Sequence, residues 1–322
     1  MALEHPSRRD VLKRMARAVA AGGALPLLAA CTASDDDAEP LTATGGLDGA
    51  ALEAVLRGSF IPEMEDLTLG LVSRWQSERN ATIDVTLTQD FRTIVPKIAR
   101  DRRGADLGDL HGNAPHIWSD RLVDVSEVAE RIGDALGGWD PAARDTCMVD
   151  GVWRAVPWST TRHALVTRTD LLDQVGAPRP DTYDDLLEAA TLLYEAGAPT
   201  AGFTMGTVGP ADASALAYGM LWSFGGQEVT PQGAVALESA ETLQALEYFQ
   251  ALSRVSAPTA LDFGHPDNND AYLDGRIAMT QNPSSIYFKA LELGLPLADH
   301  TSHLPLPAGP AGRFQLLSLI HI

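Results

Sequence analysis

Apolar and polar residues alternate in blocks along this chain, and the blocks switch between a period of two and a helical period. Leu52-Glu53-Ala54-Val55-Leu56 reads as a strand. After Gly58-Ser59-Phe60, Pro62 stands where a helix begins. Met64, Leu67, Leu71 and Trp75 follow at helical spacing, and Asn80 suits the stop. Ile83, Val85 and Leu87 alternate with polar residues, the mark of a half-buried strand. Asp90 is placed to cap a second helix that buries Phe91, Ile94, Val95 and Ile98. The next strand is expected over 105–110, although Asp106, Gly108 and Asp109 are poor residues for a buried parallel strand. This β-α-β order predicts a doubly wound α/β sheet whose strand-end loops are available for ligand.

A second unit starts near residue 159. Ala164-Leu165-Val166-Thr167 is strand-like, and Thr182 with Asp185 forms a variant of the capping box. Leu186, Ala189, Ala190 and Leu193 then line one helix face. Helical patterns recur over 216–224 and 243–252. Ile277-Ala278-Met279-Thr280 is a short strand ending in Gln281-Asn282-Pro283. No internal repeat is present.

The first 31 residues have a different grammar. Paired arginines Arg8-Arg9 precede a small Ala/Gly-rich apolar run, which ends in Leu28-Ala29-Ala30-Cys31. This looks like a twin-arginine export signal (1–30) joined to a lipoprotein cleavage box. A membrane span needs about 20 apolar residues, and this run is shorter and holds Gly22, Gly23 and Pro26. Cys31 is then the lipidated first mature residue, and the protein works outside the cytoplasm on a membrane. Residues 31–49 are small and acidic, with Asp35-Asp36-Asp37 in a row, and read as a flexible tether.

The chain of 322 residues carries 43 acidic against 24 basic side chains, a formal net charge of −19. A surface this acidic disfavours nucleic acid and anionic lipid as partners. With Cys31 lipidated, Cys147 has no intramolecular partner. Stability must then come from the core, and the remaining length suffices for one or two domains.

The order of motifs resembles the family-one extracellular solute-binding proteins, the lipid-anchored receptors of ABC importers. The resemblance runs from about Leu52 to Leu316. It rests on Gly58-Ser59-Phe60-Ile61-Pro62, Leu110-His111-Gly112-Asn113-Ala114-Pro115-His116, Leu122-Val123-Asp124-Val125-Ser126, Asp150-Gly151-Val152-Trp153-Arg154-Ala155-Val156-Pro157-Trp158, Trp222-Ser223-Phe224-Gly225-Gly226 and Ala271-Tyr272-Leu273-Asp274-Gly275-Arg276-Ile277-Ala278-Met279. Arg154 departs from it, standing where an aromatic is expected. The resemblance implies a two-lobed α/β periplasmic-binding-protein-like fold, with hinge strands crossing near Val156 to Thr160 and returning near Met279 to Pro283. Lobe one is then 50–158 with 281–322, and lobe two is 159–280. It also implies that the chain stops early, leaving the second lobe incomplete. A truncated chain of this kind is expected to be poorly soluble and to bind solute weakly or not at all.

A sugar presents hydroxyl edges and apolar C–H faces, and so suits aromatic rings with short hydrogen-bonding side chains. Phe60, Trp158 and Trp222 lie in loop-like positions and are the stacking candidates, with core packing as the alternative for the two tryptophans and a staple on the following helix as that for Phe60. Gly225 and Gly226 offer either close backbone approach or a plain helix-ending turn. Ser59, Asp90, His111 and Asn113 are the first-lobe polar candidates. Asn268 and Asn269 read as turn residues near the cleft, and Gln281, Asn282 and Ser284 are candidates just after the second crossing.

Catalysis is not expected. The sequence holds no His-Glu-x-x-His helix and no Gly-x-Ser-x-Gly elbow. His111 and His116 flank Gly and Pro in a poor chelating geometry, and Asp267-Asn268-Asn269-Asp270 lacks the spacing and closing Glu of a calcium loop. No cofactor or metal is expected. The expected function is capture of a small solute, a carbohydrate by preference, and its delivery to ABC permease subunits. The alternatives are a lipid-anchored sensor for a signalling kinase and, more weakly, a periplasmic enzyme.

Overall fold

The computed structural model describes residues 49–88, 91–101, 103–203, 211–264, 266–315 and 318–321. The segment expected to be an export signal, the expected lipidation site Cys31, most of the expected tether and Asp90 lie outside them. The chain divides into two compact units, with boundaries after Thr160 and before Ser318.

The first unit opens with β1 (Ala51–Arg57), α1 (Pro62–Arg79), β2 (Thr82–Thr88), α2 (Phe91–Asp101), β3 (Leu107–Gly108) and β4 (Leu110–His111). Pro62 starts α1, and Asn80 ends it in the left-handed conformation that asparagine tolerates. β1 runs parallel to β2 in unbroken register from Ala51↔Thr82 to Arg57↔Thr88. On its other side β1 meets β3 at only two positions. The order β2-β1-β3 is that of a doubly wound half-sheet.

The aspartates that made strand 105–110 look poor explain how so short a β3 suffices. The Glu53 amide donates to Asp106 Oδ2 at 2.9 Å, and the Arg57 amide to Asp109 Oδ2 at 2.6 Å. The amides of Asp106 and Asp109 donate back to the Glu53 and Val55 carbonyls. Two side chains thus continue the ladder past both ends of β3.

The unit continues through α3 (Ala114–Ile117), α4 (Ser126–Ala135), α5 (Pro141–Cys147), the hairpin β5 (Met148–Val149) and β6 (Val152–Trp153), and β7 (Pro157–Thr161). Its core gathers Val55, Val95, Leu110, Ala129, Cys147, Trp153 and Ala155. Trp153 is 1% exposed and keeps its indole N–H satisfied on Glu130 at 2.6 Å. In α1 the expected apolar face is mostly not buried: Met64 and Leu67 are exposed, and Trp75 carries the packing, against Ala81.

The second unit contains β8 (Ala164–Arg168), α6 (Thr169–Val175), α7 (Tyr183–Glu195), β9 (Thr200–Ala201), α8 (Ala211–Ser223), α9 (Ala240–Arg254), α10 (Asp267–Leu273), β10 (Ile277–Asn282), α11 (Ser285–Glu292) and β11 (Thr301–Leu304). The capping box predicted at α7 is formed. Thr182 Oγ1 accepts from the Asp185 amide, and Asp185 Oδ2 accepts from the Thr182 amide. The strands order as β11-β8-β10-β9, and β10 is buried along its whole length. One apolar cluster includes Leu165, Leu172, Leu186, Leu193, Phe203 and Met279; another includes Val166, Phe263, Tyr272 and Ile286.

One boundary needs correction. The return to the first unit was expected near Met279 to Pro283, placing 281–322 in lobe one. β10 instead stays in the second unit as an interior strand, antiparallel to β8 and parallel to β9. Its full burial holds it there, and α11 and β11 follow it. The chain returns only with β12 (Ser318–His321), which pairs with β4 at Ile320↔His111 and lies between β4 and β7. The first crossing, at Thr160, is within two residues of expectation. Among the described residues no helix is long and apolar enough to cross a membrane.

Candidate functional site

In the first unit the winding reverses about β1, so the crevice of a parallel sheet lies at the carboxyl ends of β1 and β3. The loop leaving β1 there carries Ser59 and Phe60, both half-buried. It is held by the Arg57 amide on Asp109, the Gly58 amide on the Thr88 carbonyl and the Ser59 amide on Glu65 Oε1 at 2.6 Å. Ser59 Oγ accepts from the Ile61 amide at 3.1 Å, which leaves its hydroxyl proton free to be donated. Glu65 and Asp109 were not singled out in the sequence. A glutamate early in α1 reads as an ordinary first-turn acid, and an aspartate in a strand reads as a defect.

Asp109 is 5% exposed, and burial raises its carboxyl above the ordinary aspartate range, opposed by the Arg57 amide and the Arg57 charge. Its Oδ1 has no hydrogen-bond partner. His111 ends β4 half-buried, and Asn113 is exposed at the start of α3, where its side chain caps nothing. Trp158 lies on β7 with 38% of its surface exposed.

In the second unit the strand-end polar residues are brought together, but as a buried lattice. Asn268, Asn269, Gln281 and Asn282 are all at most 6% exposed. Asn268 Nδ2 donates to Thr280 Oγ1 at 3.2 Å, and Asn282 Nδ2 to Asn269 Oδ1 at 2.5 Å. Ser285 Oγ donates to Asn282 Oδ1, and Gln281 Nε2 lies 3.3 Å from His163 Nδ1. Ser284, by contrast, is exposed at the head of α11 and caps nothing. The lattice sits at the end of β10 that pairs with Ala164, the first residue of β8.

Trp222 and the two glycines have local duties. The Trp222 indole N–H donates to Glu228 at 2.7 Å, and its ring stacks on Tyr218 one turn earlier, centroids 5.5 Å apart. The Gly225 and Gly226 amides donate to the Trp222 and Leu221 carbonyls, a Schellman arrangement with Gly225 at φ +95°. Both N–H groups are therefore spent on ending α8. A Cβ on Gly226 would lie 2.4 Å from Leu221 Cδ1, so packing as well as turn geometry excludes a side chain there.

The model of the family described as bacterial extracellular solute-binding protein matches residues 74–319. The chain belongs to that family. It is 28% identical over 207 residues to a protein of Deinococcus radiodurans named "Probable ABC transporter-binding protein", covering 62% of this chain and 49% of that relative. The chain spans about half the length of the curated relatives it matches. Among solved structures, maltose-bound MalE3 of T. maritima superposes with a TM-score of 0.74 at 21% identity, covering 85% of this chain and 72% of that one. A sugar transporter protein of Arthrobacter chlorophenolicus with bound laminaribiose gives 0.73 at 18%, covering 85% and 71%. The α/β fold expected from the sequence is therefore the fold of periplasmic solute-binding proteins.

The family is one of receptors rather than enzymes. The Cys147 thiol is buried beside Val55 and Trp153, and burial pushes it up to about 12, so it is no nucleophile at neutral pH. The segment 267–270 opens helix α10 rather than forming an ion loop, with Asp267 accepting from the Gly264 amide. Among the described residues no group of three or more His, Cys, Asp or Glu side chains is placed to hold a metal ion.

Proposed function

We propose that this family member is the extracytoplasmic receptor of an ABC importer for a neutral carbohydrate or polyol. The observation that carries the reading is the chemistry of the strand-end groups. In the first unit Ser59 offers a hydroxyl, Asn113 an amide, His111 an imidazole and Trp158 an exposed ring; in the second, Gln281 offers an amide and Ser284 an exposed hydroxyl. Neutral hydroxyl groups and sugar C–H faces are what such a set recognises. Solved structures of similar fold hold bound maltose, tagatose, laminaribiose, ribitol and mannitol, which supports the same class. Solute that binds one conformation better than another shifts the population toward it, and that conformation is what the permease recognises.

The reading extends to the anchor. The signal 1–30 is removed, Cys31 is lipidated, and the acidic segment to residue 49 spaces the folded part from the membrane. A neighbouring permease gene favours import over signalling; a neighbouring kinase gene favours the sensor. The test is a thermal-shift panel of maltose, laminaribiose, ribitol, mannitol, amino acids and polyamines on the longest reading frame that contains these residues. A rise in Tm with a sugar or polyol is expected; a rise only with amino acids or polyamines overturns the carbohydrate assignment. For the anchor, Cys31→Ser is expected to release the protein from the membrane fraction. Retention equal to wild type contradicts lipidation.

A further inference from the structure

The buried lattice at the end of β10 has a direction. Asn282 uses both ends of its amide: Nδ2 donates to Asn269 Oδ1 on α10, and Oδ1 accepts from Ser285 Oγ at the head of α11. Asn282 is 2% exposed and Asn269 3%, so water does not substitute for a lost partner. β10 ends at Asn282 and α11 starts at Ser285, so this one amide spans the whole turn between them. Gln281 precedes it and Ser284 lies within the turn.

We propose that Asn269 and Asn282 form a directional amide pair that positions the β10–α11 turn, and with it Gln281 and Ser284, for the solute. The last step rests on the carbohydrate-receptor reading; the pairing itself does not. In this arrangement Asn282 is the donor toward α10 and the acceptor toward α11. A neutral carboxylic acid reproduces that pattern, one O–H donating and one C=O accepting. A carboxylate does not, because it turns an oxygen toward the Asn269 oxygen in a buried site.

The test is therefore Asn282→Asp across pH, compared with wild type and with Asn282→Ala. Charged groups on the packed elements are engaged elsewhere: Asp267 with the Gly264 amide, Asp274 with Arg276, Lys289 with Glu292 and Arg168 with Asp170. Asp270 is exposed on α10, and His163 lies beside Gln281. The folded pKa of the introduced acid is raised above its unfolded value of about 3.9. Its stabilising contribution is thus present below that pH and lost as pH rises. The folding constant of N282D is expected to match wild type near pH 4, then fall behind by up to about tenfold per pH unit. N282A is expected to show a constant deficit.

Hydrogen exchange separates positioning from general stability. At pH 7 the amides at the head of α11 in N282D are expected to exchange about tenfold faster than the loss in global folding constant alone accounts for, while those of α7 and α9 speed up by no more than that loss. Maltose, laminaribiose, ribitol and mannitol titrations then report whether the turn serves the solute. If wild type binds none of them, the carbohydrate reading fails, and the pH profile still decides the pairing. A pH-independent N282D deficit overturns the directional pair, because Asn269 has then turned its amide to accommodate the charge. Equal exchange increases throughout the second unit overturn positioning.

Discussion

The two units solve the same problem, an α/β sheet that must be covered, with unequal means. Of the largest fully buried side chains among the described residues, only Trp153 belongs to the first unit; Tyr272, Phe203, Leu165, Leu193 and Met279 are among those in the second. The second unit buries an interior strand of six residues completely. The first supports β1 on one side with a two-residue strand and two aspartate side chains. The lesson is that a sheet edge short of backbone is completed with side-chain acceptors, at the cost of burying a carboxylate. That buries an ionisable carboxyl in the first unit, whereas the buried polar groups of the second are neutral amides and hydroxyls.

The comparison breaks most easily at Trp153. Trp153→Ala is expected to cost about 3–5 kcal/mol, most of the stability of a unit at the low end of the usual range of about 5–15 kcal/mol. Leu193→Ala removes one of many large side chains and is expected to cost about 2–5 kcal/mol while leaving the second unit cooperative. Calorimetry checks both. A fully cooperative W153A with little loss in Tm would show that the first unit does not lean on this one residue.

The aspartate ladder gives the next largest effect. Asp109→Leu strands the Arg57 amide and is expected to cost about 1–3 kcal/mol. Asp109→Asn keeps an acceptor and removes a buried charge. The folded pKa of Asp109 is raised above its unfolded value. Its contribution is therefore full below about pH 3.9 and declines as pH rises. Wild type is expected to lose ground to D109N between pH 4 and 7, as read by chemical denaturation. Wild type gaining on D109N over that range would contradict the burial argument.

How much of this was legible follows from what each residue does locally. Pro62, Asn80 and the Thr182–Asp185 box mark element ends through their own backbone preferences, and the structure uses each as read. The strand over 105–110 was visible only as a weakened signal, because side-chain acceptors across 53 residues of sequence separation leave no periodic trace. The return crossing was misplaced because Gln281-Asn282-Pro283 resembles a strand exit. What keeps the chain in the second unit is pairing with β8, more than 110 residues earlier. At the site, residue types were readable and exposure was not. In sequence Asn268 and Asn269 read as turn residues near the cleft, yet they lie buried in a lattice closed by β10.

The smallest effects sharpen the contrast between the two tryptophans. Trp158 is 38% exposed on β7, whereas Trp222 is tied to Glu228 and Tyr218. Trp158→Ala is expected to weaken solute binding by about 1–3 kcal/mol with little change in melting. Trp222→Ala is expected to lower Tm with affinity nearly unchanged. The reverse pattern would move the stacking role to α8.

The central claim is that a neutral polyhydroxylated solute is the ligand of this solute-binding protein. Titration calorimetry of the longest reading frame containing these residues, with maltose, laminaribiose, ribitol and mannitol, tests it most directly. The account predicts saturable binding of at least one of them, weakened about fivefold or more in Trp158→Ala. Saturable binding of a charged solute with none of these four would contradict it.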